Sequence, residues 1–182
     1  APNITDHRPW AAVGGAALAV ENGSAPFATN PMTLRVRAAA SGDGVVNPGY
    51  WGVGCTAGCN LSLWAKSAQS LTLTARLRDK ASGAVLSSAS VPVAGKPGWQ
   101  RLSAALPPVA DAGTVAIFEL LLGSAGELQL DSVSLMPTDA VAGVLRRDIV
   151  ERLKLLRPGF IRTPGGSYIL GSGPRTQYDW KN

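Results

Sequence analysis

The sequence has one histidine, two cysteines and few aromatic residues, which make up 6% of its 182 residues. A zinc site wants about four ligands, and His7 is remote from Cys55 and Cys59, so no metal site is expected. The redox Cys-x-x-Cys spacing is absent as well. Charged residues reach only 16% against 46% hydrophobic, so the chain has enough apolar material for a packed core and is not of the disordered class. No apolar run approaches the roughly 20 residues that span a bilayer. The chain opens Ala-Pro-Asn with neither an initiator methionine nor a signal peptide, which reads as a processed product or a fragment.

The formal net charge of +5 invites a polyanionic partner, but the basic residues are scattered. Arg35/Arg37 and Arg76/Arg78 occupy alternate positions, as the wet face of a strand does. No DNA- or RNA-binding signature accompanies them, so nucleic acid is not the expected partner. Compartment leaves clearer marks. The tripeptides Asn3-Ile-Thr5, Asn22-Gly-Ser24 and Asn60-Leu-Ser62 are acceptor sequences for N-glycosylation. Cys55 and Cys59 flank Thr-Ala-Gly between strand-like runs, so a tight turn brings their sulfurs together. A small cross-turn disulfide in an oxidising compartment is the preferred reading, two free thiols the alternative. A secreted, extracellular or cell-wall protein is expected.

Up to about residue 137 the chain is a succession of strand-like runs separated by glycine, proline and polar turns. The clearest is "LTLTARLRD", where Leu71, Leu73, Ala75 and Leu77 alternate with Thr72, Thr74, Arg76 and Arg78. Many short antiparallel strands with one wet face give a mainly β chain, a β-sandwich of jelly-roll type over 1–137. The pattern changes after Pro137. Leu145, Ile149, Val150, Leu153 and Leu156 form a helical stripe, and Pro158-Gly159 stops it. Phe160-Ile161-Arg162 then reads as a short buried strand leading into a Pro164-Gly165-Gly166 loop, half of a βαβ unit. A (β/α)8 barrel needs about 200 residues or more. Residues 138–182 are therefore either packed onto the sandwich or, the preferred reading, cut from something larger.

Three ordered motifs carry a resemblance. "LRRDIVERLKLLRPGFIRTPGGSYILGSGPRTQYDWKN", "NPGYWG" at 47–52 and "DSVSLMP" at 131–137 together resemble the plant-type α-L-arabinofuranosidases of glycoside hydrolase family 51. The resemblance implies a carbohydrate-binding-module-like sandwich, 1–137, inserted near the start of a catalytic (β/α)8 barrel, with 138–182 as the first helix and second strand of that barrel, here truncated. It implies retaining hydrolysis by two glutamates, one nucleophile and one acid/base that follows an asparagine. This chain has only Glu21, Glu119, Glu127 and Glu151 and no Asn-Glu dipeptide, so it is expected to be inert by itself. The barrel strands that carry the glutamate pair would follow in the rest of the same polypeptide.

The same resemblance implies that Arg162, at the carboxyl end of the second barrel strand, lines the sugar pocket, or else pairs structurally beneath it. Gly165 and Gly166 would shape the adjoining loop, and Ser167 stands where the family has cysteine or asparagine. Tyr50, Trp51 and Trp99 are candidates for a glycan-stacking platform, since sugar C–H faces pack on aromatic rings; core burial is the favoured reading for these aromatics, most strongly for Trp64. The implied partners are arabinose-containing polysaccharides, arabinan among them, or glycoprotein glycans, with no cofactor. A stand-alone glycan-binding or structural extracellular protein is the alternative function.

Overall fold

The computed structural model describes residue 7 and residues 9–49, 52–111 and 113–160. Ten strands are formed: β1 (Ala11–Val13), β2 (Ala17–Phe27), β3 (Asn30–Ala38), β4 (Gly44–Asn47), β5 (Cys59–Ser67), β6 (Leu71–Asp79), β7 (Val85–Val93), β8 (Lys96–Leu106), β9 (Ala116–Leu122) and β10 (Gly126–Pro137). They build two five-stranded antiparallel sheets. The first has the order β1-β4-β9-β6-β7 and the second β2-β3-β10-β5-β8. Consecutive strands pair as hairpins only at β2–β3 and β6–β7; the other connections cross from sheet to sheet, as in a jelly roll.

Period-2 alternation decides which side of each strand faces the partner sheet. On β6, Leu71, Leu73, Ala75 and Leu77 are buried, and on β5 Leu61, Leu63 and Ala65 face them from the other layer. β9 differs because Phe118 to Leu122 are buried without interruption. Phe118, Leu120 and Leu122 enter the inter-sheet core, while Glu119 and Leu121 are buried on the outward side. A central strand closed on both faces reads as a continuous apolar run, which is why "AIFELLL" lacks alternation. Each leucine withdrawn from water contributes about 1.5–3 kcal/mol. The three-residue β1 is too short to show a period, and the sequence reading did not find it.

Cys55 and Cys59 form a disulfide with a Cα–Cα separation of 5.3 Å. The turn between them carries Gly58 at φ +89°, a backbone region that side chains with a Cβ avoid. This turn also anchors two later segments. The Cys55 carbonyl accepts from Val109 N at 3.0 Å, and the Gly58 carbonyl accepts from Thr138 N at 3.0 Å. Thr138 Oγ1 donates to the Ala57 carbonyl at 2.6 Å. Residues 138–146 are thereby tied to the sandwich, and the compact unit extends to Arg146, past the expected boundary at residue 137.

The second unit, from Arg147 on, contains helix α1 (Arg147–Leu156). Asp148 in its first turn and Lys154 in its last complement the helix dipole. Glu151 accepts from Lys154 at 2.8 Å. Arg157 follows at φ +46°, and Pro158 prevents continuation. The expected barrel strand and glycine loop at 161–167 lie outside the described residues. No helix of the described residues is long and apolar enough to cross a membrane.

Candidate functional site

Both outward faces of the sandwich carry the polar chemistry of the chain. On the first sheet, register places Glu119 of β9 directly opposite Arg76 of β6. Arg76 Nε donates to Glu119 Oε2 at 2.5 Å, and Arg78 Nη2 donates to Oε1 at 3.0 Å. The Glu119 side chain is 2% exposed, against 29% and 33% for the two arginines. Arg76 and Arg78 are thus not merely the wet face of a strand; they fold over and close a buried carboxylate.

Burial pushes the Glu119 carboxyl up, but hydrogen bonds from Arg78 and Arg76 and their charges outweigh it, leaving it below the ordinary carboxylate range. Asp43 is lowered too, held by N–H donation from Gly15, Ala40 and Ala39. Asp79 is lowered by the Ser82 backbone and hydroxyl, then Ala81. A carboxyl depressed in the folded state stabilises above its unfolded pKa, and the contribution vanishes as pH falls through the folded value. The urea midpoint is therefore expected to be level above about pH 5 and to fall below about pH 4, where unfolded carboxylates bind protons first. A midpoint unchanged down to about pH 2.5 would contradict this assignment.

On the second sheet the aromatic side chains face outward, away from the core. Trp64 of β5 points opposite to Leu61 and Leu63, and the Phe27 ring meets it edge-on with centroids 5.5 Å apart. Trp99 is half-buried, and its indole Nε1 donates to the Ser24 carbonyl at 2.5 Å. Lys66 Nζ donates to Ser24 Oγ at 3.0 Å. Segment 22–27, where β2 leaves register with β3, is the covering element, held by Trp99, Lys66 and Trp64. The indole edge of Trp99 is thereby engaged by the covering segment. The other two platform candidates, Tyr50 and Trp51, lie outside the described residues.

The four glutamates are all engaged. Glu21 accepts from Arg35 Nε at 2.9 Å and from Gln129 Nε2. Glu127 accepts from Arg37 at 2.8 Å, with Arg35 3.7 Å away. Glu119 and Glu151 have the partners given above. Among the described residues no group of three or more histidine, cysteine, aspartate or glutamate side chains converges as a metal site. Asn22 and Asn60 are exposed. Asn3, Arg162, Gly165, Gly166 and Ser167 lie outside the described residues. The Arg76–Glu119–Arg78 cluster was missed by sequence reasoning, although the outward phase of Glu119 between Phe118 and Leu120 was a usable signal.

No family model matches the sequence. The chain is 26% identical over 187 residues to α-L-arabinofuranosidase 1 of Arabidopsis thaliana, covering 95% of this chain and 27% of that protein. It is 31% identical over 161 residues to an extracellular exo-α-L-arabinofuranosidase of Streptomyces chartreusis, covering 78% of this chain and 18% of the relative. A solved arabinose-bound GH51 α-L-arabinofuranosidase superposes with a TM-score of 0.79 at 27% identity, over 94% of this chain and 30% of that one. The chain resembles part of a family 51 α-L-arabinofuranosidase. The match is consistent with a fragment from the N-terminal side of such an enzyme, and it spans less than a third of the length of these relatives. A non-catalytic portion of an arabinofuranosidase-like glycoside hydrolase fits that coverage. The sandwich also shares its fold with a family 22 xylan-binding domain, at TM-score 0.51 and 18% identity over 75% of this chain.

Proposed function

We propose that this chain is the sandwich-bearing, non-catalytic part of a secreted glycoside hydrolase that releases terminal arabinofuranosyl residues from cell-wall polysaccharide such as arabinan. The observation that carries the reading is the superposition on the arabinose-bound GH51 enzyme over 94% of this chain and 30% of that one. The Cys55–Cys59 disulfide, the exposed Asn22 and Asn60 acceptors and the extracellular relative support secretion. The four glutamates support a non-catalytic role, because a retaining pair needs two carboxyls about 5 Å apart across a sugar, and each glutamate here is already engaged by a basic side chain, Arg35 reaching both Glu21 and Glu127. Arg162, Gly165, Gly166 and Ser167 are the residues assigned to the rim of the sugar pocket. Hydrolysis would proceed by double displacement on glutamates contributed by the remaining length of the polypeptide.

The test is the intact mass of the deglycosylated native protein, read together with hydrolysis of an aryl α-L-arabinofuranoside. A mass well above 18.8 kDa with arabinose release supports the proposal. A native species of 18.8 kDa that releases no arabinose overturns it and leaves a stand-alone glycan-binding or structural protein.

A further inference from the structure

Asn22 is followed by Gly23, the one Asn-Gly pair in the chain. Asparagine is chemically labile, most of all where the next backbone nitrogen can reach its side-chain carbonyl carbon. Glycine crowds that nitrogen least and leaves the backbone freest to bend toward it. The structure puts no obstacle in the way. Asn22 is the last residue of β2 before the break in register with β3, and residues 23–26 have no partner in that register. Asn22 and Gly23 are both exposed. Gly23 stands at φ +91°, and nothing lies within 4 Å of the place a Cβ would take.

The comparable positions among the described residues are closed. Asn30 and Asn47 precede prolines, which have no N–H to attack with. Asn60 precedes Leu61, which is buried and paired with Ala104 on one side and Leu135 on the other. Asp43-Gly44 is the acidic counterpart of the same dipeptide. There the carboxylate accepts from the backbone N–H groups of Gly15, Ala39 and Ala40 at 2.8, 2.9 and 2.9 Å. Gly44 itself is fixed between Val13 of β1 and Leu121 of β9.

We propose that Asn22 is a site of spontaneous modification, converting through a succinimide to aspartate and isoaspartate in every molecule that carries no glycan there. The Gly23 nitrogen gives up its proton to base and bonds to the Asn22 side-chain carbonyl carbon. The bond to Nδ2 breaks, and that nitrogen leaves as ammonia. Water then opens the ring, at the side-chain carbonyl to give aspartate or at the main-chain carbonyl to give isoaspartate. Nothing is oxidised or reduced; water is taken up, ammonia is released and a negative charge is added. A glycan is carried on the same Nδ2 and would have to leave with it, so glycosylation protects the site. Isoaspartate routes the main chain through the former side chain and lengthens it just before Ser24. The Ser24 carbonyl accepts from Trp99 Nε1 at 2.5 Å, and its hydroxyl accepts from Lys66 Nζ at 3.0 Å. The rearrangement therefore loosens segment 22–27 where it is fastened to the second sheet. The proposal stands independently of the hydrolase reading.

The experiment is peptide mapping of the 182-residue chain made without N-glycosylation, fresh and after storage at neutral pH, with isoaspartate resolved from aspartate. The Asn22 peptide is expected to convert at least about tenfold faster than the Asn60 peptide, a barrier difference of about 1.4 kcal/mol. The rate should rise with pH, because the attacking nitrogen must lose its proton. Gly23→Ala strains a backbone at positive φ, so Asn22→Gln, whose longer side chain closes the ring far more slowly, is the control and should abolish the new species. Tryptophan emission should move to the red in the aged parent, as Trp99 loses Ser24, and stay put in aged Asn22→Gln. In the native protein, glycan-bearing Asn22 peptides should be spared; their glycans are trimmed to the first sugar, since complete enzymatic removal itself leaves aspartate. An Asn22 peptide that keeps its amide, or converts no faster than Asn60, overturns the proposal. Isomerisation of Asp43-Gly44 as fast as Asn22 converts would mean that the dipeptide alone decides, and overturns the structural argument. Unchanged emission in a fully converted chain overturns the loosening of the covering segment.

Discussion

Glu119→Gln is expected to lower the unfolding free energy by about 2–3 kcal/mol, measured as a shift of the urea midpoint at pH 7. Removing one partner from a fully buried ion pair costs about 3–5 kcal/mol, because the remaining charge stays desolvated. Here the remaining charges are two guanidiniums with about a third of each side chain in water, so their penalty is reduced. The amide keeps the shape of the carboxyl and one acceptor, but Arg76 and Arg78 then face each other across a neutral group. The same substitution should also shrink the acid-induced fall in stability, because one of the depressed carboxyls is gone. Arg76→Met combined with Glu119→Leu is expected to recover most of the loss, since apolar replacement of a buried ionic cluster is often neutral. A Glu119→Gln variant within about 0.5 kcal/mol of the parent would mean that the cluster is solvated and works as an ordinary surface pair.

What was legible in the sequence was local. "LTLTARLRD" declares both its strand and its buried side, because Leu71, Leu73, Ala75 and Leu77 enter the core as their period requires. The stop at Pro158 and the short spacing between Cys55 and Cys59 are likewise written within a few residues. The cluster around Glu119 was not legible, since Arg76 and Glu119 lie 43 residues apart and meet only because β6 and β9 are neighbours in the first sheet. Alternation states which way an arginine points and says nothing about what stands beside it. The same limit governs Trp64 and Trp99. Core burial is the stronger sequence reading for Trp64, yet the strand turns it to the face opposite Leu61 and Leu63, and the contacts of the two tryptophans with Phe27 and Ser24 depend on β2 leaving register after Asn22. Segment 138–146 followed the sandwich for a similar reason, a pair of hydrogen bonds from Thr138 to the disulfide turn.

The two outward faces have different stakes. The first sheet's face is closed over a charged cluster and two buried side chains of β9, so substitutions there should be read mainly in stability. The second sheet's face has an open groove walled in part by Arg37, Lys66 and Glu127, so substitutions there should be read less in stability.

The interior itself yields the other large effect. Leu120→Ala is expected to destabilise the chain by about 3 kcal/mol, within the 2–5 kcal/mol range of leucine truncation in cores. Leu120 is 0% exposed and stands between Val45 of β4 and Ala75 of β6 in the register of the first sheet. Those neighbours are small and fixed by their strands, so the vacated volume has little to collapse into. Leu121→Ala, one residue on, is expected to cost only about 1–2 kcal/mol, mainly the transfer of its methyl groups. Leu121 lies on the outward side between Gly44 and Thr74, where solvent reaches the site once the side chain is shortened. Thermal or urea unfolding of the two variants separates the layers directly. Losses of equal size would mean that the outward face of β9 is packed as tightly as the core, and with it that Glu119 sits in a second interior and not beneath two arginines at a surface.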